Sequence, residues 1–106
     1  MVTILEELYR HNLWVNLHLL DLCAGLDAEQ LDLSAPGTYG QVRDTLVHIV
    51  AGEERYVAAL TGEVPAQPLR PGGEFPGIGA LRARAERSGE RLVALATNLD
   101  PSKVLT

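Results

Sequence analysis

Apolar side chains recur every three or four positions in three stretches of the chain, which is the period of a helix with one apolar face. The stretches run from about residue 4 to 23, 40 to 61 and 78 to 99. We expect three helices, each about 30 Å long, in one all-α domain spanning residues 1–106. Their apolar stripes are predicted to point inward and comprise Leu5, Leu8, Asn12, Val15, Leu19 and Leu22; Val42, Leu46, Ile49, Tyr56 and Leu60; and Ile78, Leu81, Ala85, Ser88, Leu92, Leu95 and Leu99.

Local signals mark the ends of these helices. A threonine followed three residues later by Glu or Gln is typical of a capping box, in which both side chains bond amides of the first turn. Thr3 with Glu6 and Thr38 with Gln41 fit this pattern. Gly25 and Gly62 are typical of helix C-termini, and Asp27 can cap one further helical turn in the first connection. Each helix therefore has predictable bounds.

The second connection, residues 63–76, is rich in residues that prevent helix formation. It contains Pro65, Pro68, Pro71 and Pro76 together with Gly72 and Gly73. Because proline lacks an amide hydrogen and fixes φ, the pattern predicts a long extended link and not a tight antiparallel turn. Such a link can cross one end of a helical bundle.

A common helical bundle has four helices around its core, whereas this sequence predicts three long helices. After Leu99 the chain continues only as DPSKVLT. We therefore expect a C-terminally truncated chain or fragment. The alternatives are a genuine three-helix domain and a homodimer that completes its own bundle. We also expect this chain to associate as a homodimer, because the fourth helix is missing and the apolar stripe of the third helix is continuous.

Composition narrows the classes of partner. The net charge of −5 and the pI near 5.0 argue against nucleic acid and membrane surfaces, which attract clustered Lys and Arg. Cys23 is the single cysteine, so no internal disulfide is possible. The N-terminus lacks a signal peptide pattern, and no apolar run approaches the roughly 18 residues of a membrane span. We expect a soluble, cytoplasmic protein with a buried Cys23.

Candidate chemistry begins with three histidines, His11 and His18 in the first helix and His48 in the second. Asp44 lies one turn before His48 and can orient its imidazole, although an exposed pair at this spacing has the same pattern. Gly52, one turn after His48, leaves space beside the ring. A lone helical histidine is more commonly a polar surface residue than a ligand, so the spacing alone does not define a site.

Two segments together resemble a known family. The run TYGQVRDTLVHIVAGEERYVAALTGE and the run YRHNLWVNLHLLDL are similar to helices of the bacterial DinB-like (DinB/YfiT-like) helical-bundle proteins, regarded as metalloenzymes. The matching positions are Leu46, His48, Glu53 or Glu54, Tyr56, Leu60 and Gly62, and in the first helix Tyr9, Asn12, Trp14, Asn16, Leu19 and Leu20.

The resemblance implies a four-helix bundle with a long crossover and a divalent metal, zinc or nickel, held by three histidines. His48 would be the first ligand, and the family's other two come from an His-x-x-x-His pair on a last helix. No such pair exists in this sequence. The implied function is a metal-dependent enzyme of the thiol S-transferase or hydrolase type, acting on a small molecule or thiol. We expect this chain alone to lack a tight metal site and activity.

Other combinations of residues are open. His11 and His18 are about 10 Å apart along one helix and cannot share a metal, but one of them with His48 and Glu53 is conceivable. Glu53 and Glu54 point about 100° apart and are predicted to form a solvated edge. Trp14, between two asparagines, can line a ligand pocket or pack in the core. The possible pocket residues are Asp44, Glu53, Trp14, Asn12, Asn16 and His18.

The main alternative to an enzyme is a metal-free helical binding or dimerisation module. In that interpretation another copy of the chain covers the open face, because exposed apolar stripes rarely stay uncovered. The basic positions Arg84, Arg87 and Arg91 carry no interleaved aromatics. They predict a salt-bridged outer surface and not a nucleic-acid site.

Overall fold

The computed structural model describes residues 4–34, 40–70 and 72–98. These residues form four helices: α1 (Ile4–Cys23), α2 (Ala28–Leu31), α3 (Val42–Thr61) and α4 (Ile78–Thr97). Within the described ranges the one β feature is an isolated antiparallel bridge between Ser34 and Gln41. The all-α fold class and the three long helices predicted from the sequence are confirmed, with bounds that agree within about two residues.

The structure confirms some of the helix ends that capping residues and glycines predict. Asp27 caps α2 through a capping box: its Oδ1 accepts from the Gln30 amide at 2.8 Å, and the Gln30 side chain accepts from the Asp27 amide at 3.0 Å. Gly62 ends α3 at a φ of 78°, a conformation that favours glycine. α3 begins two residues later than predicted, with Gln41 as an N-cap that makes no side-chain bond. Thr3, Thr38 and Leu99 lie outside the described residues.

Ion pairs and hydrogen bonds define the helix directions. Glu6 and Asp21, near opposite ends of α1, contact Thr97 and Arg82 respectively, so α1 and α4 are antiparallel. Arg84 bonds Glu54 at 2.6 Å, and Arg91 bonds Glu63 at 2.8 Å, so α3 and α4 are parallel. The link between two parallel helices must return along their whole length. This explains why its sequence favours extended backbone and confirms the predicted long link.

The link is held against the bundle by Arg43 and by apolar contacts. The guanidinium of Arg43 lies 5.2 Å from the centroid of the Phe75 ring and pairs with Asp32 at 2.7 Å. Phe75 and Leu69 pack against the core. The core is formed by buried residues from all four helices, including Leu20, Cys23, Leu31, Leu46, Val47, Val50, Leu81 and Ala85. Burial of Cys23 agrees with the prediction.

The closest approach between helices is that of α1 to α4. A Cβ added to Gly89 of α4 would lie 2.5 Å from Cδ1 and 3.1 Å from Cβ of Leu13. Glycine is therefore required here by space and not by backbone conformation. It lets the two helices pack tightly at mid-length.

The inward stripe is confirmed for α4 and only in part for α1. In α4, Leu81, Ala85, Ser88 and Leu92 are buried. In α1, Leu19 of the stripe packs against the core, but Leu8, Val15 and Leu22 are exposed, and the buried leucine is Leu20. The reason is that α1 packs chiefly against α4 and its backbone does not pack closely against α3, so part of the predicted stripe is left uncovered. On α3, Tyr56 and Leu60 of the predicted stripe are likewise exposed.

Candidate functional site

Because α1 and α3 both pack on α4, a groove remains between them. Its volume is about 430 Å³, and it is open to solvent. Its walls are largely apolar, and its polar side chains come from α1 and α3. The lining residues are Leu8, Tyr9, Asn12 and Asn16 of α1, Ile49, Glu53 and Tyr56 of α3, and Leu92 of α4.

The carboxylate of Glu53 accepts hydrogen bonds from side chains of both neighbouring helices. Asn12 and Asn16 are one turn apart on α1, and the Nδ2 atoms donate to Glu53 Oε2 at 3.2 and 2.9 Å. Ser88 of α4 donates its hydroxyl to Oε1 at 2.9 Å. Donors from both neighbouring helices therefore fix this side chain. The prediction of a solvated edge at Glu53 and Glu54 is wrong, because each carboxylate is half-buried and bonded across a helix interface.

The two adjacent glutamates have different electrostatic surroundings. Glu54 forms a two-point ion pair with Arg84, with distances of 2.6 and 2.8 Å, so its charge is neutralised. The hydrogen-bond donors to Glu53 are two amides and a hydroxyl, all uncharged. Neutral donors stabilise a carboxylate without cancelling its charge. The groove consequently keeps a net negative charge at Glu53.

Two tyrosines span the groove one turn away from Glu53. The hydroxyl oxygens of Tyr9 and Tyr56 lie 3.4 Å apart. Burial, together with the hydrogen bond to Tyr56, raises the pKa of Tyr9 to about 12. Tyr9 is therefore a neutral phenol at physiological pH, able to donate or accept one hydrogen bond but not to act as a ready base.

The histidines of α1 lie on an exposed face. The Trp14 ring stacks on His18, with ring centroids 5.0 Å apart, and on His11, with centroids 6.2 Å apart. Trp14 itself is 61% exposed. Trp14 therefore neither packs in the core nor lines the groove. The groove and the contact with α4 lie on other faces of α1. His18 likewise does not line the groove.

His48 and Asp44 lie on α3, away from Glu53. The His48 side chain is exposed and follows the buried Val47. It is five residues from Glu53, which turns the two side chains roughly 140° apart. Asp44 is nine residues from Glu53, or about 13 Å along the axis. Neither residue lines the groove. The groove therefore does not include the residue that the resemblance implies as the first metal ligand.

The described residues do not fit the three-ligand metal site that the resemblance implies. Within residues 4–34, 40–70 and 72–98, no group of three or more His, Cys, Asp or Glu side chains is arranged to hold a metal ion. The sequence holds no histidines besides His11, His18 and His48. A site centred on His48 would need ligands from elsewhere.

Sequence reasoning named part of the groove and missed the rest. Asn12, Asn16 and Glu53 were named as possible pocket residues, and the structure joins them by hydrogen bonds. Ser88 was assigned to an apolar stripe, although a hydroxyl at such a position is itself a signal for a buried polar partner. Tyr9, whose hydroxyl meets that of Tyr56 across the groove, carried no separate signal.

No helix in the described part of the chain is long and apolar enough to cross a membrane.

Comparisons with known proteins identify the family. Searches of curated proteins and of solved structures each returned no match. The model of the DinB family matches residues 1–101, which include all four helices. The chain therefore belongs to the DinB family.

Proposed function

We propose that this chain is a helical binding module and that the groove between α1 and α3 is its ligand site. The observation that carries the proposal is the Glu53 carboxylate, fixed by donors from α1 and α4 in a groove with apolar walls. Small-molecule sites are typically concave and apolar, with a few polar groups that orient the ligand. The groove has this composition.

Preorganisation supports the same proposal. Glu53 is held by three hydrogen bonds, and Ser88, which supplies one of them, is itself only 6% exposed. A polar group already fixed in place loses little conformational freedom when a ligand binds. The groove volume of about 430 Å³ lies within the range of small-molecule pockets.

Fragment binding followed by nuclear magnetic resonance tests this function. In the ¹⁵N-labelled chain, the side-chain amides of Asn12 and Asn16 report directly on the groove. We expect fragments with an apolar body to shift these signals. Leu8→Trp should fill the groove and abolish the shifts, whereas Leu22→Trp is a matched control because Leu22 is also an exposed α1 leucine but does not line the groove. Binding that Leu8→Trp leaves intact would overturn the proposal.

A second candidate function is the divalent-metal enzyme of the thiol S-transferase or hydrolase type. Family membership supports it, and His48 stands in the matched region. The arrangement of the described residues does not supply the remaining ligands. In this candidate function, zinc or nickel would have to be held by His48 together with groups that the described residues do not place beside it.

Metal analysis separates the two candidates. We expect the purified chain to lose zinc and nickel on dialysis, as a single imidazole leaves most of the coordination sphere to water. Retention of one metal ion per chain, and its loss in His48→Ala with unchanged helical content, would favour the enzyme. His11→Ala is the control, because His11 lies on the exposed face of α1 and stacks on Trp14.

A further inference from the structure

We propose that the groove selects an organic ammonium ion, with the charged nitrogen at Glu53 and the carbon chain along the apolar walls. This inference rests on the proposed binding function and names its ligand class. Its starting point is the charge of the lining. Among the described residues that line the groove, Glu53 alone is charged, and the others have aliphatic, amide or phenol side chains.

Two arginines on the helices around the groove pair with other carboxylates. Arg84 pairs with Glu54, and Arg10 pairs with Glu6. Glu53 receives only uncharged donors. A bound cation would therefore supply the countercharge that the described contacts do not give this half-buried group, where the Coulomb attraction is stronger than in bulk water.

The hydrogen-bonding capacity of the groove also favours a donor. An ionised carboxylate accepts about four hydrogen bonds, and three donors reach Glu53. One acceptor position remains for a ligand. The amides of Asn12 and Asn16 donate through nitrogen and each still carry an acceptor oxygen, and the hydroxyls of Tyr9 and Tyr56 can accept as well. A primary ammonium group, with three donors and no acceptor, matches this set.

The apolar walls distinguish an organic cation from a simple metal ion. Leu8, Ile49 and Leu92 line the same groove as the carboxylate. Burial of an alkyl or aryl group against them is favourable in proportion to the area removed from water. Tyrosine rings near a cation add a further attraction. The ligand is thus expected to be amphipathic, with one positive charge.

Three ligands of equal length test the inference on the unaltered chain. Hexylammonium, 1-hexanol and hexanoate differ mainly in charge. We expect hexylammonium to shift the side-chain amides of Asn12 and Asn16 and to bind about tenfold more tightly than 1-hexanol, since a charged hydrogen bond is roughly that much stronger. Hexanoate should bind most weakly. Because no variant is involved, the comparison does not depend on altered folding.

Two neighbouring glutamates provide matched variants. Glu53→Gln keeps the size and acceptor oxygen but removes the charge, so it should reduce hexylammonium binding about tenfold and leave 1-hexanol binding unchanged. Glu54→Gln is the control, because Glu54 is paired with Arg84 and does not line this groove. Equal binding of 1-hexanol and hexylammonium in the groove would overturn the ammonium inference and leave the binding function standing. Absence of all three ligands from the groove would overturn both.

Discussion

At the scale of single residues, two helix-interior glycines have opposite surroundings. Gly89 of α4 lies beneath Leu13, whereas a Cβ at Gly52 of α3 would meet nothing within 4 Å. We expect Gly89→Ala to destabilise the protein by about 1–2 kcal/mol, because the overpacking cost exceeds the gain in helix propensity. Gly52→Ala should stabilise it by up to about 1 kcal/mol. Urea unfolding measures both, and a stabilising Gly89→Ala would show that α1 and α4 can separate at little cost.

Glu6 gives the stability a defined pH dependence. The hydrogen bond from Thr97, opposed by burial and assisted by Arg10, lowers the pKa of Glu6 below its ordinary value of 4.5. A lowered folded-state pKa contributes stability above the unfolded pKa, and that contribution is lost as pH falls through the folded value. Glu6→Gln should therefore be less stable than the unaltered chain at neutral pH. The difference between their urea midpoints should shrink below about pH 4.5.

Thr97→Val is the companion variant, because it removes the largest cause of the lowered pKa of Glu6. It should bring the folded-state pKa of Glu6 closer to its ordinary value, so that less stability is lost on acidification, while Arg10 still pairs with Glu6 at 3.1 Å. If the midpoints of the unaltered chain and Glu6→Gln stayed equally far apart down to about pH 3, Glu6 would not be the group responsible.

At the scale of elements, helix bounds were predictable, whereas buried helix faces were predictable for α4 and only in part for α1 and α3. Caps, glycines and prolines act through neighbouring residues, so Asp27 and Gly62 could be interpreted from the sequence alone. Which face of a helix is buried depends on where the other helices lie. In α1 the stripe through Val15 and Leu22 has the helical period, yet it is exposed, and the buried Leu20 lies outside it.

A pair of leucines two residues apart tests this assignment of faces. Leu20 is 2% exposed and Leu22 is 64% exposed. We expect Leu20→Ala to cost about 2–4 kcal/mol of unfolding free energy, since it removes buried methyl groups and leaves a cavity. At protein concentrations low enough to keep the chain monomeric, Leu22→Ala should stay within about 0.5 kcal/mol of the unaltered chain. Equal effects in chemical denaturation of the monomer would mean that Leu22 is covered within the chain itself.

At the scale of the whole molecule, the fold was predictable because helical period and a long link restrict the arrangement of three helices. The groove was predictable only in part. Asn12, Asn16 and Glu53 could be named from their residue types, but their contact with Ser88 depends on the packing of α4. The exposure of His48 could not be predicted, because a position beside an apolar stripe does not fix the side on which a helix is covered.

The exposed stripe of α1 also leads to an expectation about assembly. We propose that Val15 and Leu22 form a homodimer surface, because contiguous exposed apolar positions usually mark an interface. Val15→Glu should convert a dimer to a monomer in sedimentation experiments without loss of helical content. Ala83→Glu, at an exposed position of α4, should leave the dimer unchanged. A monomeric unaltered chain at high concentration would contradict the proposal.

The arrangement of α1 and α3 about α4 has a mechanical consequence. The two helices that border the groove meet through the ends of long side chains, such as Tyr9 with Tyr56 and Asn16 with Glu53, and not through close backbone packing. Their spacing can therefore change by rotation of side chains while each keeps its packing on α4. Ligands of different width could therefore share one anchoring carboxylate.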